Sequence, residues 1–181
     1  MTGDGEKVRA ERVDEALQRY EAPLLRYAAR ITGDADRARD VVQETFLRLW
    51  QVGDGEPRHV AQWLFTVCRN RALDIRRKEK RMSTLAEPHS VAASGRDLSP
   101  PAVVEQRESA GVALGLVAAL PGNQQEVVRL KFQNGFSYRQ IAAITGLSVT
   151  NVGFLIHKAM TALRQKLNPS TAGGHGEGDA R

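Results

Sequence analysis

Cysteine is almost absent. Cys68 stands alone among 181 residues, which excludes an intramolecular disulfide and a cysteine-rich zinc site. It lies among Leu64, Val67 and Ala72, so a small core residue is its expected role. Histidine is sparse and scattered: His59, His89, His157 and His175 show no metal-ligand spacing. No glycine-rich phosphate loop precedes a helix. With no metal, cofactor or nucleophile motif, neither catalysis nor a small-molecule substrate is expected. Aromatic residues make up only 6%, so any that falls on a basic face carries weight. No apolar run approaches transmembrane length. The opening stretch MTGDGEKVRAERVDEA lacks the apolar core of a signal peptide. Membrane insertion is therefore not expected, and the cytoplasm is the expected compartment.

What is present is ordinary in amount and uneven in placement. Hydrophobic residues are 41% and charged residues 26%, near the usual values for globular proteins. The formal net charge is +5, which favours a polyanionic partner without identifying one. The most informative stretch is Phe136 to Leu167, FSYRQIAAITGLSVTNVGFLIHKAMTALRQKL. Ser137 with Gln140 three residues on has the spacing of a capping box. Ile141, Ala142 and Ile144 give the first helix its apolar side, and Gly146 permits the left-handed turn that ends it. Ser148 can cap the next helix. There Val152, Leu155, Ile156, Ala159, Met160 and Leu163 recur at three- and four-residue steps, one buried stripe. A short helix, a tight glycine turn and a longer helix make a helix-turn-helix. Its second helix would present Ser148, Val149, Thr150, Asn151, Phe154, His157 and Lys158 to duplex DNA.

The rest of the chain also carries helical periods only. Residues 1 to about 12 read as loose and polar. From Val13, residues Ala16, Leu17, Tyr20, Leu24, Tyr27, Ala28 and Ile31 recur at helical spacing, with a kink or break expected at Pro23. Asp34 can cap a second helix running to about Trp50, with Ala38, Val41, Val42, Thr45, Phe46 and Leu49 inward. Gly53 to Pro57 make a loop, and a third helix runs from Arg58 or His59 to Arg81. The segment from Met82 to Pro101 has no sustained period and is long for a connection inside one domain. Beyond it, a helix opened by Pro100 and Pro101 runs to Leu120, and another runs from Asn123 to about Gln133. The expected fold is all-α: two small helical bundles, residues 13–81 and 102–167, joined by a flexible linker over 82–101. The second bundle contains the helix-turn-helix, and residues 168–181 form a disordered tail.

Two further stretches carry chemistry. From Trp63 to Arg81, seven basic residues (Arg69, Arg71, Arg76, Arg77, Lys78, Lys80 and Arg81) face two acidic ones, Asp74 and Glu79. Such density can displace counterions from a phosphate backbone. Trp63, Phe65 and Asn70 place flat faces and an amide beside the charge, the ingredients for holding unpaired strands. A core tryptophan and a solvated helix end are the bland alternatives. From Asp40 to Trp50, DVVQETFLRLW, residues Asp40, Gln43, Glu44, Leu47 and Arg48 face outward. This is either a plain polar face or a docking surface for another protein's helices.

Taken in order, DVVQETFLRLW, AQWLFTVCRNRALDIRRKEKR and the segment LPGNQQEVVRLKF through the helix-turn-helix resemble a bacterial RNA polymerase sigma factor. The resemblance is to the two-domain extracytoplasmic-function group and covers Val13 to Leu167. It implies that Asp40, Gln43, Glu44, Phe46, Leu47 and Trp50 dock on core RNA polymerase. It implies that Trp63, Asn70, Arg71, Asp74, Arg76, Arg77, Lys78 and Lys80 melt the downstream promoter element and hold its single strand, with Asn70 and Asp74 beside a flipped-out base. The helix-turn-helix would read the upstream element in promoter DNA, and the linker would thread toward the polymerase active centre. An anti-sigma factor is an implied partner; no cofactor is. One departure is the run Val152, Gly153, Phe154, Leu155, where the family often has basic residues. The rival reading is a helix-turn-helix regulator that acts without being a polymerase subunit; strands ahead of residue 82 would favour it.

Overall fold

The computed structural model describes residues 3–52, 57–86 and 114–167. Among them every regular element is an α-helix. The helices are α1 (Gly3–Thr32), α2 (Ala35–Gln51), α3 (Val60–Ala86), α4 (Gly122–Phe132), α5 (Tyr138–Thr145) and α6 (Val149–Leu167). All but α5 fall whole into one of two compact units. The first holds α1, α2 and α3, each packed on the other two.

One expectation for α1 is corrected, and one is narrowed. The helix begins at Gly3, not near residue 13. Residues 6–12, EKVRAER, are mostly strong helix formers with no breaker among them, and the Arg9 guanidinium lies 5.9 Å from the Trp50 ring centroid on α2. Of the kink or break expected near Pro23, there is no break: the helix runs through it. Proline removes one main-chain hydrogen bond, but Leu24, Tyr27 and Ala28 directly after it are buried, and that burial holds the turn in place. The corner into α2 is tight. Gly33 takes φ +73°, Thr32 Oγ1 donates to the Ala28 and Asp34 carbonyls at 3.0 and 2.9 Å, and Asp34 Oδ1 accepts from Arg37 N at 2.8 Å as the N-cap.

The core of this unit takes Leu24 and Ala28 from α1, Val41, Val42 and Thr45 from α2, and Leu64, Phe65, Cys68 and Ala72 from α3. Phe65 is a correction: it is a core ring, 5.2 Å from Tyr27 between centroids, not a flat face beside the charge. It sits three residues before Cys68 and seven before Ala72, on the inward side of the helix. α3 continues past Arg81 to Ala86, because the first breaker in the sequence is Pro88. The rest of the proposed linker, most of the helix expected ahead of Leu120, and the tail lie outside the described residues.

In the second unit α4 packs on α6, with Leu120, Val128 and Ala159 at the centre and Val117, Ala162 and Leu163 against them. Gln125 Nε2 donates to the Ala118 and Leu120 carbonyls at 2.9 and 2.7 Å, tying the preceding helical turn to α4. The capping box at Ser137 is complete: Gln140 N donates to Ser137 Oγ at 3.3 Å, and Ser137 N donates to Gln140 Oε1 at 2.9 Å. Gly146, at φ +75°, makes the turn, and Asn151 N donates to Ser148 Oγ at 3.1 Å as α6 begins.

Two stability predictions follow from the packing. Burial pushes the Cys68 thiol up from 9.0 to about 12, against a hydrogen bond with Thr45 that lowers it. The folded chain therefore keeps this proton to higher pH than the unfolded chain. The resulting stabilisation is whole below pH 9.0 and is lost as pH rises toward about 12. Denaturant titrations should show the stability advantage of the parent over Cys68→Ala shrinking above that lower limit by up to about 1.4 kcal/mol per pH unit. In α6, a Cβ on Gly153 would meet the Tyr138 ring at 3.6 Å, ordinary contact. Gly153→Ala should thus stabilise the protein by up to about 1 kcal/mol, visible as a higher thermal midpoint.

Candidate protein- and nucleic-acid-binding surfaces

In the first unit, an apolar groove of about 470 Å³ runs between α1 and α2. Leu17 and Leu25 line one side, Phe46, Leu47 and Trp50 the other, with Glu21, Arg39 and Gln43 at the rim. α1 carries adjacent apolar pairs, Ala16 with Leu17 and Leu24 with Leu25. One member of each pair is buried and the other is left at the groove. Leu47 is 61% exposed, a large apolar side chain that the protein's own core does not cover. Asp40, Gln43 and Leu47 are all exposed, and their spacing of three and four puts them on one face of α2.

Glu44, four residues after Asp40 and three before Leu47, borders that face and is one-third exposed. Its Oε2 accepts from Arg71 Nε on α3 at 2.5 Å and its Oε1 from Arg48 at 2.8 Å, so both oxygens are engaged within the protein. A second ion pair, Arg37 with Glu79, also ties α2 to α3. These pairs brace the helix that carries most of the charge.

On α3, Trp63, Asn70 and Arg77 recur at seven-residue steps with Asp74 between, so they share one stripe. Trp63 is half-buried, while Asn70, Asp74, Arg76, Arg77, Lys78, Lys80 and Arg81 are exposed. Asp74 lies 3.5 Å from the Arg77 guanidinium. The five-charge excess of Trp63–Arg81 equals the net charge of the whole chain, +5. It is thus one helix, not the chain at large, that is basic.

In the second unit, α6 buries Val152, Leu155, Ile156 and Ala159 and exposes Val149, Thr150, Asn151, Phe154, His157 and Lys158. Ser148, at its cap, is exposed as well. The Tyr138 ring of α5 lies against Gly153, with the Lys131 ammonium 5.5 Å from its centroid. Gly153 thus sits where the two helices of the motif meet.

A family model described as sigma-70 region 2 matches residues 16–82, and one described as sigma-70, region 4, matches residues 112–163. The chain is 37% identical over 153 residues to the ECF RNA polymerase sigma factor SigL of Mycobacterium tuberculosis, covering 82% of this chain and 84% of that one. This chain belongs to the ECF sigma factors. It is also 28% identical over 157 residues to the ECF sigma factor SigM of Bacillus subtilis, covering 86% of this chain and 95% of the relative. In fold it is similar to the sigma factor RpoE of Bartonella quintana, solved in complex with the anti-sigma factor NepR. That likeness has a TM-score of 0.66 at 22% identity and covers 87% of this chain and 97% of the other. It is similar also to CnrH, solved with the cytosolic domain of CnrY, at TM-score 0.56 and 21% identity over 92% and 99% of the two chains.

Of the residues singled out on α2 of this sigma factor, the groove brings together Gln43, Phe46, Leu47 and Trp50. Asp40 lies a turn away and Glu44 turns toward α3. Leu17 and Leu25 were missed; the doubled apolar pairs of α1, more than one core stripe can use, were the signal. Among the described residues, no single helix of the sigma factor is long and apolar enough to cross a membrane. The Glu44–Arg71 pair is about one-third exposed on each side. A double-mutant cycle with Glu44→Gln and Arg71→Gln should give a coupling of about 1 kcal/mol, weakened by salt; additive losses would show that the pair braces nothing.

Proposed function

We propose that this sigma factor binds core RNA polymerase through the α1–α2 groove and directs promoter-specific initiation, with the polymerase supplying all catalysis. In this reading residues 13–81 bind the polymerase and open the downstream element, 82–101 connect, and 102–167 read the upstream element as duplex. Gln43, Phe46, Leu47 and Trp50 contact the polymerase, with Asp40 beside them. Trp63, Asn70, Asp74, Arg76, Arg77, Lys78 and Lys80 hold the separated strand, while Glu44 keeps Arg71 and its helix in place. Opening DNA costs a few kcal/mol per extruded base. The α3 stripe offsets that only by holding the open form more tightly than the closed one.

The observation that carries the reading is the uncovered apolar groove one helix away from the concentrated positive charge. A regulator acting on duplex DNA alone has no use for either. Each unit neutralises few phosphates, so binding to DNA without polymerase is weak, and the polymerase raises the effective concentration of both units. Work beside polymerase on promoter DNA places the protein in the cytoplasm. RpoE and CnrH, the structural neighbours, were solved with their partners NepR and CnrY; an anti-sigma factor that covers the same groove is the corresponding partner here.

Transcription should appear only when the factor and core polymerase are both present. Leu47→Asp, a change at an exposed position, should leave folding intact and lower polymerase affinity at least tenfold in a pull-down. Phe46 is a poorer probe, since it is 6% exposed and its loss would also open the core. Promoter-selective duplex binding that is indifferent to polymerase would instead establish the regulator reading.

A further inference from the structure

The proposed role of α6 leaves open how it tells one duplex from another, and its surface chemistry is unusual for a DNA-reading helix. From Val149 to Ile156, two full turns, it carries no charged side chain. Its buried stripe is Val152, Leu155, Ile156 and Ala159. Opposite that stripe, at four-residue steps, stand Thr150, Phe154 and Lys158, which form one outward row. Phe154 is 61% exposed at the centre of the row. The Lys158 backbone is one turn further along the row, and its ammonium reaches back over the ring, 5.9 Å from the centroid. At the edge of the same face Val149 is 45% exposed.

A helix entering the major groove with such a row cannot read guanine by a bidentate cation in its first two turns. The apolar group that a base pair shows in that groove is the C5 methyl of thymine. We propose that Phe154, with the Thr150 methyl one turn before it, sets promoter preference by packing on thymine C5 methyl groups of the upstream element. Lys158 then takes a flanking phosphate and adds affinity without sequence preference. The inference rests on the reading of α6 as the duplex-reading helix and adds what it reads.

The test uses the full chain, with and without core polymerase, and a promoter-length duplex that the full chain itself retains from a random pool. Thymines of its upstream element are replaced one at a time by deoxyuridine, which removes the methyl alone. Transcription by the holoenzyme and retention of the upstream duplex by the factor alone are both measured. At one or more positions, deoxyuridine should weaken retention roughly fourfold, the worth of one buried methyl. In Phe154→Ala that ratio should fall to one, because the partner of the methyl is gone. Retention unchanged by every deoxyuridine, or a ratio that persists in Phe154→Ala, overturns the inference. Methyl-insensitive retention with intact polymerase-dependent transcription sinks the inference and leaves the proposed function standing. Methyl-sensitive retention without polymerase-dependent transcription supports the inference and sinks that function.

Discussion

Burial of one face per helix is the constraint from which the rest of this structure follows. Each unit is small, and a small unit buries a modest share of its surface. The first unit closes around Leu24, Val41, Leu64 and Cys68, all essentially without solvent contact. Once those positions are taken, whatever lies on the other side of α1, α2 or α3 must face outward. Leu17, Leu25 and Leu47 are left at a groove for this reason, and the basic residues of α3 are left in water. The functional surfaces are what remains after the core has been satisfied.

The two outward surfaces of the first unit are mechanically joined. Glu44 belongs to α2 by sequence but engages Arg71 of α3, and Arg37 engages Glu79. Charge pairs at partly exposed positions add little stability. Their larger effect is on orientation, since each fixes the rotation of one helix against the other. A partner seated on α2 would thereby meet the basic stripe of α3 at a set angle. The second unit uses a different device. There the ring of Tyr138 rests on Gly153, and the helix-turn-helix geometry depends on caps and a glycine turn more than on charge.

Much of this was legible in the residues. The capping boxes and caps at Ser137, Asp34 and Ser148 name helix starts through a local rule, because the hydrogen bonds span three residues or fewer. Gly146 names a stop for the same reason. The order of the three motifs marked the family. Local rules failed where distant packing decided. Pro23 read as a kink or a break, and burial of its neighbours carried the helix through without a break. The polar start of α1 read as loose, yet helix propensity and contact with Trp50 extended it to Gly3. Phe65 read as a flat face because the basic run starts one turn later, at Arg69, yet its own side of α3 turns inward.

The sequence by itself determined which segments are helices, where several of them start, and that one helix concentrates the positive charge, because these depend on neighbours a few residues apart. Only the tertiary structure decided that Phe65 is a core ring, that Glu44 pairs with Arg71 of α3, and that α1 supplies half of the groove. A periodic pattern gives the direction of an apolar face but not its width. How much of that width the neighbouring helices cover is settled only when residues far apart in the chain meet.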